Sequence, residues 1–158
     1  MIRAVEMRMF VTSDGPAVWE LHKAALASTD ADRGDGPWDD DLRDITRSYL
    51  QADGAFLVMT DAGTLVAMGG IRQADDPGSA EIKRMRVAPG YQRRGLGRGL
   101  LQALLLEAHE RGYHRVVLDT TTVQVAAQRL YESAGFAEIG RHSIDSFTVI
   151  QYEKRLLE

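Results

Sequence analysis

The stretch "RMRVAPGYQRRGLGRGLLQALL", Arg84 to Leu105, constrains the fold more than any other part of the chain. It starts as an alternating, strand-like segment, passes through a turn of glycines and arginines, and continues into leucines at helical spacing. A strand, a basic glycine-rich turn and a helix N-terminus in that order form an anion cradle. N–H groups at a helix start point outward, and glycine lets a ligand approach the main chain. Leu96, Leu100, Leu101, Leu104, Leu105 and Ala108 mark one apolar helix face ending near Gly112, and "RVVLDT" follows as a buried strand. Such a strand–helix–strand unit is a right-handed crossover between parallel strands.

Around this unit the chain reads as a single domain over residues 1–158. Met7 to Val11 is a short strand, and "SDGPAVWELHKAALAS" is a helix with Asp14 as its cap and Val18, Leu21 and Ala25 on one face. "DDLRDITRSYLQADG" predicts a second, shorter helix ending near Gly54. Phe56 to Met59 and Thr64 to Ile71 are strands joined by the hairpin signal "TDAGT". In "SAEIKRMRV", strict alternation sets Ile82, Arg84 and Arg86 against Glu81, Lys83, Met85 and Val87. "VAAQRLYESAG" is a helix closed by Gly135, and "FAEIG" and "FTVIQYEKRL" are the last two strands. The expected fold class is α/β (α+β), with element order β-αα-βββ-α-β-α-ββ: a mixed central sheet of about seven strands flanked by about four helices.

Charge is distributed in two blocks. Ser28 to Asp44 holds seven aspartates against two arginines, whereas Lys83 to Arg98 holds six basic residues and no acid. This predicts two sites of opposite preference, or, for the acidic run, a solvated surface. The net charge of −4 argues against a general nucleic-acid binder. No apolar run approaches the roughly 20 residues of a membrane span, and with no cysteine there is neither a disulfide framework nor a thiolate site. A cytoplasmic address is expected. His22, His109, His114 and His142 have no metal-ligand spacing, so no metal is expected, and each histidine reads as solvated or capping.

Three cradles compete for the glycine-arginine turn. A nucleotide P-loop needs Lys followed by Ser or Thr after its second glycine, and none is present. A dinucleotide fingerprint gains Gly95 and Gly97, with Asp119 near the place of the ribose-binding acid, but its third small residue falls on Leu100. In the third, "QRRGLG" places Gln92, Arg93 and Arg94 directly ahead of Gly95, and these converging donors suit a pyrophosphate.

"V-x-P-x-Y-Q-R-R-G-L-G", Val87 to Gly97, resembles the acetyl-CoA-binding motif of the GNAT superfamily of N-acetyltransferases. "QVAAQRLYESAGF", Gln124 to Phe136, is similar to a later motif of the same family. The resemblance implies an acyltransferase that moves an acetyl group from acetyl-CoA to a primary amine by direct attack in a ternary complex. The coenzyme pyrophosphate is then expected on Gln92, Arg93, Arg94, Gly95, Leu96, Gly97 and Arg98. The pantetheine is expected along Met85, Arg86 and Val87, with the Val87 N–H a candidate oxyanion donor. Gln124 stands where the family carries an asparagine. The family places a tyrosine near the departing sulfur, here Tyr131, as acid or as hydrogen-bond donor. Glu81 is the candidate base, acting directly or through water, and it also reads as a strand glutamate paired with Lys83. The loop Thr29 to Asp41 is the expected acceptor site, with Trp38, Asp39 and Asp40 drawing a cationic amine. The family suggests a homodimer through the C-terminal strands. A non-catalytic acyl-CoA-binding or sensing module, which needs neither Glu81 nor Tyr131, is the competing reading.

Overall fold

The computed structural model describes residues 5–27 and 36–157. Strand β1 (Glu6–Met9) leads to helix α1 (Gly15–Ala27) and the single helical turn α2 (Asp40–Arg43). The meander β2 (Ala55–Asp61), β3 (Thr64–Gln73) and β4 (Ser79–Val87) follows, and then α3 (Leu96–Glu110), β5 (Arg115–Thr121), α4 (Val125–Ser133), β6 (Ala137–Ile144) and β7 (Phe147–Arg155). The seven strands form one sheet in the order β1-β2-β3-β4-β5-β7-β6. Every pairing is antiparallel except β4 with β5, the parallel pair that the crossover through α3 requires. The element order expected from the sequence is the one found.

The two faces of the sheet carry separate apolar clusters. On one, Leu100, Leu101 and Leu104 of α3 pack on Ile71, Ile82 and Val116. On the other, Val18 and Leu21 of α1 pack with Tyr49, Phe56, Val58 and Met68. The second predicted helix is not continuous. α2 ends at Arg43, the next residue, Asp44, leaves helical geometry at φ −148° and ψ 75°, and a wide turn over Thr46–Leu50 follows. The Asp44 carboxylate accepts the Arg47 N–H at 3.2 Å, so the break is capped locally. It also lets Tyr49, fully buried, point its hydroxyl at Asp41 (2.5 Å).

β4 departs from strict alternation. Its register against β3 runs Ile82 with Ile71 and Lys83 with Gly70, then slips and resumes as Arg86 with Met68, so that Arg84 and Met85 together oppose Gly69. Arg84 sits at φ 64°, the left-handed region, and the extra residue is a β-bulge. Opposite it the packing is tight: a Cβ on Gly69 would lie 3.0 Å from Leu104 and 3.1 Å from Met85. The slip changes which side chains share a face. Ile82, Met85 and Val87 pack with the α3 cluster, while Arg86 stands opposite Met68 and Arg84 reaches α2, both on the α1 side. The expected grouping of Ile82 with Arg84 and Arg86 is therefore corrected: one inserted residue keeps both arginines out of the apolar core.

The bulge is tied down by charge. Arg84 donates to both Asp41 oxygens (3.0 and 2.6 Å) and to the Trp38 carbonyl, and lies 3.4 Å from Asp39. Burial alone would raise the Asp41 pKa, but Arg84 and the Tyr49 hydroxyl outweigh it and hold the carboxyl at about 2. A depressed carboxyl contributes stability above its unfolded pKa near 4 and loses it as pH falls through the folded value. The contribution is about 2 kcal/mol, lost between roughly pH 4 and pH 2. In urea unfolding at pH 6, 4 and 2.5, Asp41→Asn is expected to flatten the acid loss by that amount. An acid limb identical to wild type would show that Asp41 is not held low.

Candidate active site

β4 and β5 pair only at Ser79–Arg115, Ala80–Val116 and Glu81–Val117. Beyond Glu81 they part, and a cleft of about 320 Å³ opens between them. Its walls include Glu81, Met85 and Arg86 from β4, Asp119 and Thr120 from β5, and Gln124 and Tyr131 from the start and middle of α4, with Trp38 and Asp39 from the loop before α2. Glu81, Met85, Arg86, Gln124 and Tyr131, singled out from the sequence, thus meet at one opening with Trp38 and Asp39, whereas Gln92 to Arg98 of the glycine-arginine turn lie outside its lining.

The main chain of β4 is aimed into this gap. The Ala88 N–H bonds the Val66 carbonyl at 2.8 Å, which makes Ala67–Val87 a non-hydrogen-bonded pair. The Val87 N–H and C=O therefore point away from β3, to the side that β5 has left. The Gln92 amide donates to the Val87 carbonyl at 3.2 Å, so Gln92 braces the turn below the cleft rather than standing free.

That turn leads to the cradle. Arg93 (φ 64°) and Gly95 (φ 80°) both take left-handed conformations, which swing the chain into α3 at Leu96. The first turn of a helix leaves its N–H groups without intrahelical acceptors. A Cβ at Gly97 would meet Leu130 at 3.4 Å and Val87 at 3.9 Å, so the cradle packs against both the end of β4 and the residue before Tyr131. Arg93 and Arg94 are exposed, Arg94 lying over the Tyr91 ring at 5.0 Å, and Arg98 donates to Ser133 at 3.2 Å.

Tyr131 is buried, against Phe136 and Tyr152, and lines the cleft; its hydroxyl makes no hydrogen bond among the described residues. Burial pushes its pKa up to about 12, and the Arg86 charge opposes the rise. Gln124 accepts at one amide oxygen from Thr120 Oγ1 (3.2 Å), Thr121 Oγ1 (3.0 Å) and the Thr121 N–H (3.2 Å), an arrangement that leaves its NH₂ for the cleft. Glu81 is half-buried at the root of the opening, 3.7 Å from Lys83.

The expected acceptor loop is more internally committed than its charge suggests. Asp30, Asp32 and Asp35 lie outside the described residues. Asp39 is buried and held by His22 (3.0 Å) and Arg84. Asp40 points away from the cleft and pairs with Arg43 at 2.7 Å, and Trp38 is exposed at the cleft mouth. His22 is neither solvated nor a cap. Burial and the Arg86 charge push its pKa down against the pull of Asp39, so neutral His22 donates from Nε2 to Asp39, and its buried Nδ1 has no partner. Among the described residues there is no cluster of three metal-ligating side chains, and no helix is long and apolar enough to cross a membrane.

With this geometry in place, the chain belongs to the acetyltransferase (GNAT) family, whose sequence model matches residues 16–136. It is 33% identical to human N-acetyltransferase 8 over 147 residues, covering 84% of this chain and 59% of that protein. The chain spans about half the length of the curated relatives it matches. The fold is that of an acetyltransferase of the GNAT family from Staphylococcus aureus Mu50, with a TM-score of 0.86 at 22% identity over 98% of this chain and 100% of that one. It also matches a Salmonella typhimurium protein solved with its cofactor acetyl-CoA, with a TM-score of 0.82 at 23% identity over 98% and 95%.

Two glycines of the cradle make opposite predictions. Gly95 holds φ 80°, so Gly95→Ala is expected to destabilise by about 1 kcal/mol. Gly99 lies inside α3, and a methyl group added there would meet nothing within 4 Å, so Gly99→Ala is expected to stabilise by up to about 1 kcal/mol. Chemical denaturation of both variants checks the pair, and equal effects would mean that the turn does not need its left-handed residue.

Proposed function

We propose that this protein transfers an acetyl group from acetyl-CoA to a primary amine by direct attack within a ternary complex. The observation that carries the reading is the parting of β4 from β5 beyond Glu81, beside the start of α3 and next to Tyr131. The residues present fit coenzyme A. Helix-start N–H groups at Leu96, Gly97 and Arg98, with Arg93 and Arg94 at hand, suit a pyrophosphate. The unpaired edge of β4 from Met85 to Val87 and the free NH₂ of Gln124 suit an extended amide-bearing arm. Bound there, acetyl-CoA supplies an acyl group on a thiol leaving group.

The chain's own groups divide the remaining work. The Val87 N–H, aimed into the gap, is the donor for the acyl oxygen as negative charge develops on it. Glu81 receives a proton from the acceptor ammonium, which frees the nitrogen lone pair that attacks the acyl carbon. Glu81 and Val87 face Arg72 and Ala67 on β3, so at about 3.3 Å per residue they lie on the order of 16 Å apart along the strand, and the proton travels through water. Of the two protons that nitrogen gives up as the N–C bond forms and the C–S bond breaks, one goes to Glu81 and the other ends on the departing thiolate. Tyr131 stabilises that thiolate. Proton transfer from a phenol near 12 to a thiolate near 8.5 is uphill by about 5 kcal/mol, which makes Tyr131 a hydrogen-bond donor rather than the acid. With no cysteine in the chain, there is no acetyl-cysteine intermediate. A cytoplasmic address and a homodimer through the C-terminal strands belong to the same reading; β6 is an edge of the sheet.

Thiol release from acetyl-CoA with a panel of amines tests this. Tyr131→Phe is expected to lower kcat by roughly ten- to a hundredfold with little change in the KM for acetyl-CoA. Glu81→Gln is expected to lose about a hundredfold at neutral pH, and the defect is expected to shrink as pH approaches the amine pKa, where nitrogen needs no base. Coenzyme binding with no thiol release on any amine would replace this reading with the non-catalytic binding module.

A further inference from the structure

The two aspartates that the acidic run brings beside the cleft, Asp39 and Asp41, are both paired. Asp39 is held by His22 and Arg84, and Asp41 by Arg84 and Tyr49. Neither is left to attract a cationic acceptor, as the acidic run suggests. Arg86 is in the opposite position. It sits two residues beyond Arg84 on the same face and lines the cleft. Of its five N–H donors, one makes a hydrogen bond, Nη1 to the neighbouring Met85 carbonyl at 2.9 Å. Its Nε is buried with no partner, and it forms no ion pair among the described residues. Burial, with Arg84 nearby, pushes its pKa down to about 10, so it is still charged at neutral pH. A desolvated guanidinium without an anion is costly, and the cost disappears when a ligand supplies one.

We infer that Arg86 binds a carboxylate of the acyl acceptor, so that the acceptor is an amino acid, with its amine and its carboxylate held close together in the cleft. This rests on the acetyl-transfer reading above and narrows its substrate class. Two features favour a carboxylate. The donors left over are Nε and Nη2, and their shared edge matches the two oxygens of a planar carboxylate. The Arg86 charge also reaches Tyr131, whose pKa it lowers. Arg86 and Tyr131 line the same cleft, so an amine one carbon from a carboxylate held by Arg86 would sit in the opening that Tyr131 also lines.

The experiment is a set of matched acceptors for the wild-type protein: L-amino acids, and for each its carboxamide and its decarboxylated amine, followed by thiol release at saturating acetyl-CoA. The free acids are expected to exceed both neutral counterparts in kcat/KM by roughly thirty- to a hundredfold, the worth of a charge-assisted bidentate contact. Arg86→Gln is expected to collapse that ratio to within about threefold, and Arg86→Lys to restore part of it. Carboxamides or simple amines turned over as efficiently as the acids would overturn the inference while leaving acetyl transfer in place. So would an Arg86→Gln variant in which the ratio persists and the KM for acetyl-CoA rises instead, since the guanidinium would then serve the coenzyme. No thiol release with any amine would overturn both. If Arg86→Gln fails to fold by thermal unfolding, the wild-type comparison decides alone.

Discussion

Arg84 in its left-handed conformation, tied to Asp41, is the constraint on which the site depends. A bulge at that point inserts one residue into β4, bends the strand and shifts the phase of every side chain after it. Before the bulge, Ile82 faces α3; after it, Met85 and Val87 do. Without the insertion, Met85 and Val87 would turn toward α1, and the guanidinium of Arg84 would enter the apolar cluster of Leu100 and Leu104. β4 stops pairing with β5 just before this bend, and that parting creates the gap into which the Val87 N–H points. The ion pair, the core packing and the cleft are thus consequences of one backbone irregularity.

The same face of β4 carries two arginines with different fates. Arg84 is bound to two carboxylates and a carbonyl, and so acts as a rivet between β4 and α2. Arg86 has one main-chain acceptor and no acid. Both are largely withdrawn from water, so the difference lies in pairing, not exposure. Paired charge of the first kind is spent on conformation. Unpaired charge of the second kind is available to whatever enters the cleft.

Periodicity exposes most of the fold. The leucine face of α3, the hairpin signal before β3 and the glycine-arginine turn yield the element order and set that turn between β4 and α3. The bulge escapes a reading of "SAEIKRMRV" by strict alternation, although its apolar residues Ile82, Met85 and Val87 are spaced three and then two apart. That spacing fits a strand only if one residue is looped out, so the signal is present. The acidic run misleads for another reason. Composition counts charges but not their partners, and Asp39 and Asp41 share a cationic partner, Arg84, more than forty positions away. His22 is likewise unreadable alone, because its burial follows from Asp39 arriving from a different segment.

The proton chemistry follows from the same arrangement of charge. An apolar pocket makes the Tyr131 phenol a weaker acid, and the Arg86 cation works against that effect. A carboxylate on Arg86, as proposed, would cancel the opposing charge, so the phenol would hold its proton more firmly with the acceptor in place than before. A firmly held proton is a poor one to transfer but a sound one to share in a hydrogen bond, and a desolvated site strengthens that bond to a developing anion. On the proposed reading, an acceptor carboxylate bound at Arg86 would set Tyr131 into a donor role. In that proposed reaction the thiolate would take its proton from the amine side, where two protons must be released in any case.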